Sequence, residues 1–362
     1  MKIVEIIPTL SSGGAERFVV DLCNELSQNN EVTLIILDSL ENNGFYASEI
    51  SSRVKIISIK RRRRIDLSLL FSIKKIIIDI APDVVHTHIR AIIFSLWTIL
   101  TVKNIKYFHT VHSDAKKEAK GYIFGVIRSY LFKNQLVVPV TISLESQQSF
   151  TNYYGLVAPM IFNGRDIPQE LKISEELKDE FKKYRENNET KVIVCLARIS
   201  PIKRQTLFAK IAKRLNSEGY NFTLLFIGST QNTELVEQIK LYNCPNIYIL
   251  GEKHNPLEYL KMSDAYCLCS SHEGMPISLI EAMGVGAIPV CTPVGGVVDV
   301  INNGNNGFLS SDLFEESYYE TLKRFLDQPK TDLIKMRDNV LKSYTPFSMK
   351  ECSSKYEKLF LK

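Results

Sequence analysis

The chain lacks a long hydrophobic run. Its most apolar stretch, AIIFSLWTILTV (residues 91–102), is closed off by Arg90 and Lys103. It falls well short of the roughly 20 residues that span a bilayer and reads as a buried helix. The opening MKIVEIIPTLSS has neither the apolar length nor the small-residue cleavage site of a signal peptide, and reads as a first strand. Cysteine is sparse: seven residues, an odd number, scattered through apolar runs such as VIVCLA and AYCLCSS. That usage suits small core residues in a reducing cytoplasm and argues against a disulfide framework. Cys267 and Cys269 form a C-x-C, but strand alternation and the lack of a second Cys/His pair at zinc spacing argue against a metal centre. No two aspartates stand two positions apart, so the D-x-D metal-diphosphate motif is missing, as is the dinucleotide fingerprint G-x-G-x-x-G. Nothing resembles a hydrolase triad, an internal repeat, a low-complexity tract or a nucleic-acid motif, and nucleic acid is not expected as a partner.

At 362 residues the chain exceeds what one hydrophobic core usually supports, so two domains are expected. Its net charge of +5 is uneven: residues 1–165 carry 20 Lys/Arg against 14 Asp/Glu, whereas residues 166–362 carry 25 against 26. The excess centres on Lys60, Arg61, Arg62, Arg63 and Arg64. That run reads equally as a solvated loop or as a patch for anionic lipid headgroups or a polyphosphate.

Short β-branched runs alternate with helix-period runs nearly throughout, the pattern of an α/β fold with parallel sheets and crossover helices. KIVEIIPTL, EVTLIILD, VKIISI, DVVHTH, KYFHTVH, VVPVTIS and APMIF are strand candidates, with helices in AERFVVDLCNELSQN and IDLSLLFSIKKIIIDI. A polar break covers residues 162–190, and a domain boundary is expected near Asn163. The alternation restarts with KVIVCLA, FTLLFIG, NIYILG, DAYCLCS and AIPVC as strands. Helices are expected near 204–218, 232–242, 255–262 and 276–285. The expected organisation is 1–163, 164–343 and an amphipathic C-terminal helix within 344–362.

Three strand-to-helix turns carry candidate chemistry. In LSSGGAER (residues 10–17), Gly13 and Gly14 allow close backbone approach, and a helix start favours an anion; a glycine pair is also an ordinary turn. In LARISPIKRQ (residues 196–205), Arg198 and Lys203 flank a proline-containing turn at a strand's C-terminal end. Two cations there suit a phosphate, and read equally as solvated loop charges. In SSHEGMPISLIEAMGVGAIPV (residues 270–290), Glu273 precedes the turn Gly274-Met275-Pro276 and Glu281 lies on the second turn of the next helix. One carboxylate can accept both hydroxyls of a ribose diol while the other addresses a sugar, against the plainer reading of a loop acid and a surface helix acid. His86 and His88 share a face of DVVHTH, and His109 and His112 bracket HTVH. Such histidines hydrogen-bond sugar or phosphate oxygens at neutral pH, or sit satisfied in a core.

Taken together, these stretches resemble retaining GT-B glycosyltransferases of glycosyltransferase family 4 (glycosyltransferase group 1) over nearly the whole chain. The most specific part is SSHEGMPISLIEAMGVGAIPVCTPVGGVVDVI with the later NGNNGFL, similar to the family's E-x7-E region; ARISPIK, LSSGGAER and FNGRDI match its other landmarks. The resemblance implies two Rossmann-like domains facing each other across a cleft, the first binding the acceptor and the second the nucleotide sugar, with the C-terminal helix crossing back to the first. It implies that Arg198 and Lys203 neutralise a diphosphate, that Gly13 and Gly14 approach it, and that Glu281 binds the ribose. Glu273 and the backbone of Gly274, Met275 and Pro276 would face the transferred sugar, with His112 near it and His88 a weaker candidate.

No cofactor, metal or enzymic nucleophile is implied; the two cations take the part a metal plays elsewhere, and the acceptor attacks from the leaving-group face. The donor is expected to be a UDP-sugar giving a hexose or N-acetylhexosamine. The acceptor is expected to be a saccharide or polyprenyl-diphosphate-linked saccharide, in capsule, O-antigen or exopolysaccharide synthesis. The protein would then be cytoplasmic, with peripheral contact to anionic membrane through Lys60–Arg64. A nucleotide-sugar 2-epimerase of the same architecture and a non-catalytic sugar-nucleotide-binding subunit are the alternative readings.

Overall fold

A computed structural model of the chain describes residues 1–40, 44–59, 66, 68–119, 121–168 and 170–362. The basic run Lys60–Arg64 lies outside the described residues. The chain divides into two compact units, one of Met1–Asp166 with Phe347–Lys362, the other Ile167–Pro346.

The first unit is built on a parallel sheet of β1 (Lys2–Ile7), β2 (Glu31–Ile36), β3 (Lys55–Ser58), β4 (Val84–His88), β5 (Lys106–Val111) and β6 (Val138–Thr141). Their order is β3-β2-β1-β4-β5-β6. Strands β1 and β4 are buried almost end to end, as expected where helices cover both faces of a parallel sheet. Helix Gly14–Leu26 packs Phe18, Val19, Leu22, Cys23 and Leu26 into the core, the apolar stripe that its 3.6-residue period supplies. Helix Met349–Leu361 belongs to this unit too, started by a Ser348 side chain that accepts from the Glu351 amide. Its Tyr356 and Phe360 rings pack on His86, 5.2 and 5.6 Å between centroids. Where this helix begins, a Cβ on Gly164 would stand 2.6 Å from the Cys352 Cβ, so only glycine lets the two segments approach.

The second unit repeats the plan with β7 (Lys191–Leu196), β8 (Phe222–Ile227), β9 (Ile247–Gly251), β10 (Ala265–Leu268), β11 (Ile288–Cys291) and β12 (Phe308–Leu309). All pairings are parallel, in the order β12-β11-β10-β7-β8-β9. Two Rossmann-like sheets thus follow from the alternation read in the sequence, and the four expected helices of this unit are present as Gln205–Ser217, Thr233–Leu241, Pro256–Met262 and Ile277–Val285.

Two expectations are corrected. AIIFSLWTILTV forms two short helices, Ala91–Phe94 and Leu96–Thr101, divided at Ser95. APMIF makes one bridge, Thr141 to Met160, because Pro159 offers a carbonyl to the Thr141 amide (3.0 Å) and has no N–H to continue a ladder. The two-residue β12 was too short to show as a period. All seven cysteines are free thiols, and burial pushes those of Cys267 and Cys269 up, the latter to about 12. Among the described residues no helix is long and apolar enough to cross a membrane.

Candidate functional site

In each sheet the chain leaves its first strand toward one edge and returns to start the other half beside that strand. Open α/β sheets bind ligands at the carboxyl ends of the two strands flanking this switch point. In the second unit those strands are β7 and β10, and the loops that follow them carry Lys203 and Glu273.

β7 runs into Arg198 and a short 3-10 turn, Pro201–Lys203, after which Arg204 takes a left-handed conformation and starts helix Gln205–Ser217. The loop after β10 is tied to this turn by the Ser271 amide, which donates to the Ile202 carbonyl at 2.9 Å. The Cys269 thiol adds a weaker bond to the Arg204 carbonyl at 3.2 Å. Across this seam Lys203 Nζ donates to both Glu273 oxygens, at 2.6 and 2.8 Å. The side chains are 19 % and 8 % exposed, so the pair is shielded well beyond a surface ion pair, and removing either partner would leave the other charge uncompensated. A second turn covers it: the Gly296 amide donates to the Gly274 carbonyl, and a Cβ on Gly295 (φ 55°) would stand 2.3 Å from the Glu273 carbonyl.

Of the other residues singled out in this unit, Arg198 is exposed, its carbonyl held by Gln205 Nε2 at 2.9 Å. Met275 is buried, and Pro276 precedes the first turn of helix Ile277–Val285. Glu281 is only 6 % exposed on that helix. A surface acid is therefore the wrong description of it.

In the first unit the flanking strands are β1 and β4. After β1, Gly13 is extended and Gly14 opens helix Gly14–Leu26. Glu16 folds back over this turn, accepting from Ser11 and Thr9 hydroxyls at 3.3 and 3.4 Å, and a Cβ on Gly13 would stand 2.2 Å from its Oε2. Two residues of the quoted motifs serve the frame instead: Arg17 of GGAER and Arg165 of FNGRDI both bind Asp21, the latter at 2.9 Å. Beside them lies a buried polar cluster. Glu5 of β1 accepts from His88 Nε2 at 2.7 Å and lies 3.0 Å from His86 Nδ1. His88 Nδ1 is 3.0 Å from Nε2 of His112, half-buried just past β5. His86 Nε2 is 2.8 Å from the Thr110 hydroxyl. His109 meets Glu118 at 3.2 Å, and Glu118 also accepts from Arg128 at 3.1 Å and from the His112 amide at 2.7 Å.

Burial raises the Glu5 carboxyl, but the two imidazoles outweigh it and bring the group to about 2. Burial, reinforced by His86, pushes His88 down to about 4, and burial likewise holds His112 and His109 below the ordinary imidazole range. Glu118 is raised by burial and brought down to about 2 by His109 and Arg128.

Glu5, His86 and His88 are close enough to share a metal ion, but their lone pairs and protons are already committed to one another, to Thr110 and to His112. The sequence reading missed Glu5, Glu118 and Arg128. Glu5 had a signal, a lone acid inside the apolar strand KIVEII.

Comparison with known proteins fits this geometry. The family model described as Glycosyltransferase Family 4 matches residues 12–167, and that described as Glycosyl transferases group 1 matches residues 177–342. The capsular polysaccharide biosynthesis glycosyltransferase CapH of Staphylococcus aureus is 24 % identical over 351 residues, covering 91 % of this chain and 92 % of CapH. The Campylobacter jejuni GalNAc-α-(1→4)-GalNAc-α-(1→3)-diNAcBac-PP-undecaprenol α-1,4-N-acetyl-D-galactosaminyltransferase is 24 % identical, covering 85 % of this chain and 84 % of its own. Among solved structures, Anabaena Alr3699/HepE in complex with UDP and glucose superposes with a TM-score of 0.83 at 16 % identity, covering 100 % of this chain and 99 % of that one. With both sheets and both family models accounted for along one chain, the protein belongs to the GT-B glycosyltransferases of family 4, group 1.

Proposed function

We propose that the chain is a retaining glycosyltransferase that moves a hexose or N-acetylhexosamine from a UDP-sugar to a lipid-linked saccharide during synthesis of a bacterial surface polysaccharide. The observation that carries this reading is the Lys203–Glu273 pair at the switch point of the second sheet. Glycosyl transfer places negative charge on the departing diphosphate and positive charge on the sugar ring, and fixed charges of opposite sign are suited to those two places. Lys203, with Arg198, takes the diphosphate; Glu273 takes the sugar; Glu281 takes the ribose. Gly13 and Gly14 approach the diphosphate, and His112 the sugar. The cations do the work of a divalent metal, so no metal is required, and the diphosphate itself helps to remove the acceptor's proton.

The relatives named for capsular polysaccharide and an undecaprenol-linked saccharide support the acceptor class. So does helix Tyr122–Lys133, whose Tyr122 and Ile123 are 85 % and 70 % exposed, with Val126 and Tyr130 also exposed. Lys133 on the same helix, and Lys116 and Lys117 shortly before it in sequence, are exposed as well. Aromatic and aliphatic groups together with lysine suit the boundary of an anionic bilayer, where the acceptor's lipid would reside. On this reading the protein would work at the inner face of the cytoplasmic membrane.

The test is release of UDP from a panel of UDP-hexoses and UDP-N-acetylhexosamines in the presence of polyprenyl-diphosphate-linked saccharides. Sugar transfer with retained anomeric configuration is expected. Isomerised donor without acceptor would replace this reading with an epimerase, and binding without turnover would replace it with a binding subunit.

A further inference from the structure

We propose that Glu5 and His88 are positioning residues that fix the tautomer of His112, leaving its Nδ1 as the hydrogen-bond acceptor of that ring. The inference rests on the transferase reading, which puts His112 beside the transferred sugar.

The direction of the chain is dictated from its buried end. An ionised carboxylate only accepts hydrogen bonds, so Glu5 must receive a proton donor from His88 Nε2, 2.7 Å away. A neutral imidazole has one donor nitrogen and one acceptor nitrogen. His88 is neutral at pH 7, because burial and the neighbouring His86 hold it near 4. Its Nδ1 therefore accepts, and the partner at 3.0 Å, His112 Nε2, must donate. His112 is held neutral by burial as well, so its Nδ1 is bare. That nitrogen takes no partner among the described residues, and it can accept from a hydroxyl of the sugar.

The frame is stiff. Glu5, His88 and His112 come from, or directly follow, three adjacent strands. The Phe18 ring lies edge-on to His88 and His112, with centroids 6.2 and 5.7 Å apart. Glu5 is secured from its other side by His86, then Thr110, then the Tyr356 hydroxyl at 2.8 Å. Acceptance of a hydroxyl strengthens as the sugar ring gains positive charge, so a misassigned tautomer lowers turnover more than nucleotide affinity.

The test uses protein labelled with nitrogen-15 in histidine, whose ring-nitrogen shifts separate protonated from bare positions. UDP-sugar turnover of the unaltered protein is measured alongside. His112 is expected to show a protonated Nε2 and a bare Nδ1. His88→Phe removes the acceptor for that proton, and is expected to mix the two tautomers and lower kcat about tenfold with UDP affinity unchanged. His88→Gln, whose amide both accepts and donates, is expected to restore the single tautomer and most of kcat. If His88→Phe does not fold, the spectrum of the unaltered protein and the His88→Gln comparison still decide. A protonated Nδ1 in the unaltered protein, a His88→Phe variant with unchanged tautomer and kcat, or one equivalent of divalent metal on Glu5, His86 and His88 would overturn the proposal. An inactive unaltered protein with the expected tautomer would instead count against the transferase reading.

Discussion

The two sheets share a strand order but build their switch points from opposite materials. The second sheet holds a cation and an anion on loops, 2.6 Å apart and partly open to water. The first holds a carboxylate and three imidazoles that come from neighbouring strands, with Glu5, His86 and His88 wholly buried. A charged pair on loops can exchange partners when a diphosphate arrives, whereas His88 and His112, held neutral by burial, can only present one fixed donor or acceptor. The difference is consistent with the proposed function, in which the second unit takes the charged diphosphate and the first orients the sugar.

Acid should break this comparison most strongly. His88, lowered from 6.5 to about 4, takes up its proton more readily unfolded, so its contribution is full above pH 6.5 and is lost as pH falls toward 4. A shift of that size corresponds to roughly 3 kcal/mol. Glu5 and Glu118, lowered from 4.5 to about 2, add a loss between pH 4.5 and 2. Trp97 is the sole tryptophan and lies in the first unit, so its emission is expected to change between pH 6.5 and 4 while much far-UV ellipticity persists. Simultaneous loss of both signals would mean that the first unit has no special sensitivity.

A smaller effect concerns the membrane face. Ile123→Ser together with Tyr122→Ser removes exposed apolar surface, and is expected to weaken sedimentation with anionic phospholipid vesicles several-fold while leaving UDP affinity intact. Equal sedimentation of the two proteins would detach that helix from the account. Smallest of all, EDTA is expected to leave turnover unchanged if, as proposed, Lys203 and Arg198 supply the positive charge; activity that returns only with a divalent ion would contradict that role.

How much was legible in the sequence follows the same division. Every strand of the two sheets except the two-residue β12 announces itself by composition and period, which is why both sheets could be read. Lys203 and Glu273 sit in short motifs at strand-to-helix turns, where charge is visible against an apolar background. The Glu5, His88 and His112 chain was illegible as a unit, because its members are distant in sequence and meet only when β1, β4 and β5 align, with Glu5 opposite His86 and His88 opposite Thr110. Arg17 and Arg165 show the converse: both stand in recognisable motifs, but the motifs alone do not reveal that both bind Asp21.

The central claim is that Lys203 serves the diphosphate and Glu273 the sugar. The most direct test is UDP affinity by calorimetry and UDP-sugar turnover, measured together on Lys203→Ala and Glu273→Gln. Lys203→Ala is expected to weaken UDP and UDP-sugar alike by about tenfold or more, the cost of one charged hydrogen bond. Glu273→Gln is expected to lower kcat about 100-fold, and to leave UDP affinity equal or higher because Lys203 is freed for the diphosphate. Equal losses of UDP affinity and turnover in both variants would contradict the assignment and reduce the pair to a structural ion pair.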